Sequence, residues 1–299
     1  MSPTSNQALQ DQMFSIFLLM IILSNLTQLI IEKVVHKRAL FEARERPSKI
    51  YSWRVFLFAV IIAEVPPQSA IALLVFLCWY HPIGMFRIAG SHTSEKGALI
   101  FLLIWAFCLL ISTFSHMMVA GIEQAGTAVN LAQLLYTLYF IFCGYLCPLP
   151  SLVLMFLLTC SLSSVLVRPD NLPAFWSFMN RVSPLTYLIG GMAIAGLAET
   201  SVTCAPLELL SIKASAGQTC DQFLQPYIQC VGGLVANPEV TGACQFCPVA
   251  KTDDVLTTLG YSYAQRWQYF SLMLVYVSFN VAGACLICWL ARTKRWRRR

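Results

Sequence analysis

The chain has 299 residues, of which 58% are hydrophobic and only 11% are charged. Soluble domains carry about 25% charged residues, so this composition excludes a water-soluble protein of the ordinary kind. The net charge of +6 gains meaning only when the basic residues are placed on a membrane topology. The apolar runs are long and do not alternate with polar residues. They therefore predict an all-α, polytopic membrane protein rather than a β-barrel.

Five apolar stretches are long enough to be transmembrane helices. About 20 residues at about 1.5 Å each cover the hydrocarbon core of a bilayer, and a helix in lipid satisfies its own backbone polar groups. The predicted spans are residues 13–31, 53–80, 98–119, 128–147 and 270–290. Residues 1–12 are polar and contain no Lys or Arg, so the first span is not predicted to be a cleaved signal peptide.

The basic residues fall mainly in two clusters, and such clusters mark the cytosolic side of a membrane. Thirteen of the 20 Lys and Arg residues lie within 33–54 or within the tail 292–299. Five spans place both clusters in the cytosol if the N-terminal segment is extracellular. A further span over the apolar run 151–167 would reverse that arrangement, so we do not expect this run to cross independently.

The topology predicts four regions. An extracellular segment, 1–12, precedes four spans within 13–167, which contain a cytosolic loop at 32–52. Residues 168–268 form a long extracellular region, and residues 269–299 contain the last span and a basic cytosolic tail. Within the extracellular region, "RVSPLTYLIGGMAIAGLAE" is apolar but interrupted by Pro and Gly. Such interruptions predict a re-entrant helical hairpin at the outer face.

Five of the twelve cysteines lie in this extracellular region, where an oxidising environment permits disulfides. The candidate disulfide residues are Cys204, Cys220, Cys244 and Cys247. Their pairing stays open, and an odd number of cysteines leaves at least one without an intrachain partner. The "CQFC" spacing also matches half of a zinc or redox motif, although no second pair or nearby histidine accompanies it.

Polar residues inside the predicted spans have two interpretations. Glu64, in "IIAEVPPQ", and Asn130 are candidates for a transport path, because polar and ionisable residues within a membrane are expensive and are often functional. The alternative is that both make hydrogen bonds between helices. The same structural interpretation is expected for His116.

Seven segments, in chain order, resemble the second transmembrane domain of fungal pleiotropic-drug-resistance transporters, which are ATP-binding-cassette exporters of the G type. They are "MFSIF", "ALFEARERPSKIYSW", "CWYHPIG", "AGIEQAGTAVNLAQLLYTLYFIFCG", "FWSFMNRVSPLTYL", "CDQFLQPYI" and "CQFCPV". The resemblance implies that the cytosolic loop couples to a nucleotide-binding domain. The coupling residues it implies are Glu42, Arg44, Glu45 and Arg46, with Glu123 in the second cytosolic turn.

The resemblance further implies an exporter of xenobiotics or lipids in a bilayer, such as the plasma membrane. Its expected partners are a nucleotide-binding domain, a second transmembrane domain and a hydrophobic small molecule, with no nucleic acid. No G-x-x-x-x-G-K-[ST] sequence occurs. The chain is therefore not expected to be an enzyme or to bind a metal or cofactor, and ATP and Mg²⁺ would act only through a partner domain.

Residues 145–164 have no counterpart in the family pattern. The twenty residues correspond to sixty nucleotides, a plausible length for a short fungal intron read in frame, so we expect a retained intron in the gene model. A genuine insertion that extends the fourth helix is the other possibility. The alternative to a working exporter fragment is a truncated, inactive gene product, or a structural membrane subunit without transport activity.

Overall fold

The computed structural model describes residues 6–45, 47–48, 52–84, 93–143, 174–198, 204, 209–213, 218–247, 252–258 and 260–296. Within these residues the chain forms ten α-helices and one three-stranded sheet. The predicted all-α, polytopic fold class is confirmed. The insertion predicted at 145–164 and the apolar run 151–167 lie outside the described residues.

Five helical segments of the described chain are long and apolar enough to cross a membrane, which confirms the predicted number. The first consists of two consecutive helices, α1 and α2. The segments are α1 (Asn6–Ser24) with α2 (Leu26–Leu40), α3 (Trp53–Ile83), α4 (Thr93–Gly121), α5 (Ala125–Phe142) and α10 (Arg266–Trp296).

The first span is longer than the apolar stretch predicts. The α2 helix continues into a π-helical turn at Phe41–Glu45. No Gly or Pro occurs between Leu26 and Glu45, so nothing in the sequence interrupts the helix before Pro47. Much of the predicted 32–52 loop is therefore helical, because a helix made of good helix formers can continue beyond the apolar residues.

The α4 helix lies at the centre of the bundle, where α2, α3, α5, α7 and α10 all pack against it. Its almost completely buried side chains include Leu99, Leu103, Ile104, Phe107 and Ile111. Burial on this scale makes α4 the core around which the other spans are arranged.

Two short helices, α6 (Ala174–Val182) and α7 (Pro184–Leu197), meet at Ser183. Every residue of α7 except Tyr187 is buried. Two glycines permit this close packing: a Cβ on Gly190 would lie 2.8 Å from the Tyr261 ring, and one on Gly191 would lie 3.1 Å from the Leu103 side chain. Most of the sequence of the predicted hairpin forms the single helix α7, and only its first two residues belong to α6. Re-entry into a membrane stays a prediction.

The cysteine-containing region is a small disulfide-bonded unit. Its strands β1 (Leu210–Lys213), β2 (Leu234–Val235) and β3 (Ala243–Cys247) form an antiparallel sheet in the order β1-β3-β2. The helix α8 (Cys220–Val231) lies between β1 and β2 in the chain, and α9 (Thr252–Thr258) follows β3. Disulfides join Cys204 to Cys247 and Cys220 to Cys244.

The disulfides expected in this region are therefore present, and the structure gives the pairing that the sequence left open. The two cysteines of "CQFC" belong to different disulfides, so they do not form a redox pair with each other. The side chain of the fifth cysteine, Cys230, lies outside the described part of the chain.

The bundle has two ends that differ in composition. We call the one formed by the described residues of 37–54, 119–125 and 288–291 the basic end. We call the opposite one, formed by those of 93–97, 197–247 and 252–266, the disulfide end.

Candidate functional site

Arg38 joins the end of α2 to the turn between α4 and α5. Its guanidinium donates hydrogen bonds to the backbone carbonyls of Val119, Ile122 and Glu123, and the distance from Nη2 to the Ile122 oxygen is 2.8 Å. The last carbonyls of a helix have no partner within it and carry the negative end of its dipole. Val119 lies in the last turn of α4, and Ile122 and Glu123 follow that helix directly. The Arg38 cation therefore bonds carbonyls at the end of α4 and is itself stabilised by the α4 dipole.

The predicted coupling residues surround this contact. Glu42 and Arg44 are exposed and Glu45 is half-buried in the π-helical turn, while Glu123 is exposed in the α4–α5 turn. Arg46 lies outside the described residues. The structure thus brings the two predicted coupling segments together at the basic end, where Arg38 connects them. Their contact with a nucleotide-binding domain stays a prediction.

Aromatic packing holds the π-helical turn against α3. Phe41 is 3% exposed, and its ring stacks on that of Phe56 with 4.3 Å between the ring centroids. The first turn of α3 is capped by Ser52, whose hydroxyl accepts a hydrogen bond from the Val55 amide. The end of α2 is therefore anchored to both α3 and α4.

Glu64 is buried on α3 and forms ion pairs with two lysines of α2. Its Oε1 lies 2.9 Å from Lys33 Nζ and 3.1 Å from Lys37 Nζ. A buried carboxylate needs such partners because its own desolvation is costly. Glu64 therefore bonds to a neighbouring helix, which was the structural alternative, and its participation in a transport path stays a prediction.

Asn130, the other candidate for a transport path, has a different environment. It is exposed on α5, whereas Glu64 is only 2% exposed between α2 and α3. The participation of Asn130 in a transport path stays a prediction. His116 is 2% exposed, and the interhelical hydrogen bond expected for it is absent among the described residues.

A comparison of the sequence with known protein families identifies the family of this chain. Residues 1–156, slightly more than half of the chain, match the family described as ABC-2 type transporter. The chain belongs to this family.

Relatives of this ABC-2 chain cover almost all of it. ABC multidrug transporter C of Aspergillus fumigatus is 45% identical over 296 residues, which are 98% of the chain and 18% of that relative. ABC multidrug transporter atrG of Aspergillus oryzae is 44% identical and ABC multidrug transporter AFR2 of Cryptococcus neoformans is 40% identical, with the same coverage. The resemblance seen in the motifs is confirmed, and the chain spans about a fifth of the length of the curated relatives it matches.

Five basic residues with structural roles in the ABC-2 chain were not singled out from the sequence: Lys33, Lys37, Arg38, Lys96 and Arg266. Lys33, Lys37 and Arg38 were counted only as part of a cytosolic charge cluster. For the two lysines, the sequence signal was their four-residue spacing. This spacing puts Lys33 and Lys37 on one face of α2 and within reach of one partner. Lys96 carried no comparable signal.

Lys96 belongs to a second set of charged contacts, at the disulfide end. It is 3% exposed, and its Nζ donates a hydrogen bond of 2.6 Å to the carbonyl of Ala198, just after α7. Beside it, Glu95 pairs with Arg266 at 3.0 Å. The Arg266 guanidinium also lies 4.1 Å from the centroid of the Tyr263 ring. These contacts join the start of α4 to α7 and α10.

Proposed function

We propose that the chain is one membrane domain of an ATP-driven exporter of hydrophobic small molecules such as xenobiotics or lipids. The relatives named as ABC multidrug transporters, and five segments able to cross a membrane, support this. The chain has no G-x-x-x-x-G-K-[ST] phosphate-binding sequence, so ATP and Mg²⁺ would be bound by a partner nucleotide-binding domain. A second transmembrane domain would complete the pathway.

In this proposal the basic end faces the cytosol and the disulfide end faces the outside of the plasma membrane. Thirteen of the 20 basic residues lie in the two sequence clusters 33–54 and 292–299, which supports a cytosolic basic end. The disulfides at the opposite end are those expected of an oxidising compartment. The nucleotide-binding domain would then contact Glu42, Arg44, Glu45, Arg46 and Glu123.

The observation that carries the proposal is the bonding of Arg38. One side chain on α2 holds the carbonyls of Val119, Ile122 and Glu123, so a displacement of either coupling segment is passed to the other. Because α4 is the central helix, movement at its end reaches α3, α7 and α10. Arg38 would therefore transmit ATP-driven closure into the whole membrane domain.

The substrate path would lie along exposed polar positions of the bundle. Asn130 on α5 is exposed, with Leu134 and Leu138 exposed on the same helix. A mixed surface of this kind suits either a hydrophobic substrate with a few polar groups or the second transmembrane domain. Glu64 would contribute by fixing α2 to α3 through its ion pairs with Lys33 and Lys37.

The test uses an intact transporter that contains this chain as a membrane domain. Arg38→Leu removes the three hydrogen bonds, and we expect drug export per ATP hydrolysed to fall by at least about tenfold, the factor that corresponds to the loss of a single charge-assisted hydrogen bond. Basal ATP hydrolysis should persist, because no residue of this chain is proposed to bind the nucleotide.

Arg54→Leu is the matched control, since Arg54 is exposed at the same end and contacts the adjacent Trp53 ring at 5.8 Å. This variant should export normally. Equal export per ATP in the Arg38 and Arg54 variants would contradict the proposed transmission.

A further inference from the structure

A cavity of about 460 Å³ lies at the basic end between α2, α3, α4 and α10. Its walls are mainly apolar and aromatic, with contributions from Val34, Phe41, Phe56 and Val119. This volume is within the range of about 300–1,000 Å³ typical of small-molecule sites. The cavity therefore has the size and surface to hold an amphiphile of moderate length.

One polar side chain in the wall lacks a partner. His116 lines the cavity, is 2% exposed, and has no hydrogen-bond partner for Nδ1 or Nε2 among the described residues. Buried polar groups are nearly always hydrogen-bonded, and leaving one unsatisfied is costly. A neutral imidazole has one N–H donor and one acceptor nitrogen, so a hydroxyl group can bond to either of them.

The surrounding charges do not favour an ionic ligand. Arg38, the cation in the wall, donates its hydrogen bonds to the carbonyls of the α4–α5 turn. Lys33 and Lys37 are directed to Glu64. The carboxylates Glu42 and Glu123 that line the cavity are exposed, where water screens them. The buried part thus combines apolar walls with the imidazole.

We propose that this cavity binds a neutral amphiphile whose single hydroxyl group hydrogen-bonds to His116 and whose hydrocarbon chain lies against Phe41, Phe56 and Val119. A long-chain alcohol is the simplest molecule of this class. The site goes beyond the proposed export function, and its occupancy is measured without ATP or transport. The binding proposal and the export proposal can therefore fail independently of each other.

The experiment uses the full chain in lipid nanodiscs and a photoreactive analogue of hexadecanol, with the labelled peptides identified by mass spectrometry. We expect saturable labelling of peptides that contain Phe41, Phe56 or Val119. Unlabelled hexadecanol should displace the probe, whereas hexadecane, hexadecanoate and hexadecylamine should displace it at least about tenfold less well, because each lacks the neutral hydroxyl.

Three variants test the role of the imidazole and of the cavity. His116→Leu should weaken the competition by hexadecanol by about tenfold, and His116→Asn, which keeps a donor and an acceptor, should retain most of it. Ala39→Trp should abolish labelling by filling the cavity from an exposed wall position, with His116 unchanged. If His116→Leu does not fold, the Ala39→Trp variant still tests whether the cavity binds the probe.

The control is Gln68→Leu, which alters a buried polar residue of α3 that does not line the cavity. This variant should bind as the unmodified chain does. Labelling that is not saturable would mean that the probe reacts non-specifically from the bilayer, and would overturn the proposal. Stronger displacement by hexadecanoate or hexadecylamine would overturn the neutral class of ligand.

Discussion

The two ends of the bundle each use a basic side chain to bond backbone carbonyls at or just beyond the end of a helix, but in different surroundings. Lys96 at the disulfide end is 3% exposed, and a buried α7, a small sheet and two disulfides accompany it. Arg38 at the basic end is half-buried and is accompanied by ion pairs, exposed charges and a cavity. The difference teaches that covalent bridges constrain one end, whereas only non-covalent contacts hold the described residues of the other.

The largest effect on stability should come from the lysines that pair with Glu64. Changing Lys33→Met and Lys37→Met together leaves a carboxylate that is 2% exposed without either cation. We expect the free energy of unfolding in detergent to fall by about 3–5 kcal/mol, the cost of an uncompensated buried charge. Chemical denaturation of the purified chain measures it.

The reverse change supplies the control. Glu64→Gln should cost less, because the side chains of Lys33 and Lys37 are 51% and 36% exposed and can be hydrated without Glu64. Adding Glu64→Gln to the double lysine variant should restore most of the lost stability. A double lysine variant as stable as the unmodified chain would show that the ion pairs do not hold α2 to α3.

The next largest effect should be confined to the disulfide end. Cys220→Ala with Cys244→Ala removes a bridge between residues separated by 24 positions. From loop-closure entropy, we expect the removal of a bridge of this span to lower the free energy of unfolding by about 3 kcal/mol. Hydrogen exchange should therefore increase across residues 210–247 and stay unchanged in α2 and α4.

Cys78→Ala is the matched control, because Cys78 is exposed on α3 and outside any disulfide. It should leave the exchange pattern unchanged. Loss of protection in α2 and α4 of the Cys220/Cys244 variant would mean that the two ends do not behave separately.

The smallest effect should come from the ion pair between Glu95 and Arg266. Their side chains are 39% and 23% exposed, so water and salt weaken the attraction. Glu95→Gln should lower the free energy of unfolding by about 0.5 kcal/mol at low salt, and by less at high salt. A loss of several kcal/mol that persists at high salt would place this pair among the main supports of the disulfide end.

The number of spans could be predicted from the sequence because an apolar run of sufficient length needs no information about partners. The ends were less predictable: α4 begins at Thr93 rather than at residue 98, and α2 continues into the turn at Phe41–Glu45. A hydropathy profile shows where a run of apolar residues ends, whereas a helix ends where its backbone hydrogen bonding is interrupted. Pro47 was the better signal for the end of the first span.

The partners of the charged residues could not be predicted, because they depend on how distant segments pack. Arg38 bonds to a carbonyl 81 positions away, and Lys37 bonds to a carboxylate 27 positions away. The disulfide pairing is likewise set by the antiparallel sheet and α8 rather than by the cysteine spacing. Composition predicted that such partners must exist, but the fold determines which ones they are.

The central claim is that Arg38 makes the two coupling segments move as one unit. Spin labels at Ala43 and Gln124, both exposed, would report on these segments, and a label at the exposed Ser211 would mark the disulfide end. In an intact transporter, ATP should change the distance from residue 43 to residue 211 and the distance from residue 124 to residue 211 by similar amounts. The distance between residues 43 and 124 should keep one narrow distribution. Separation of residues 43 and 124 on addition of ATP, with Arg38 in place, would contradict the account.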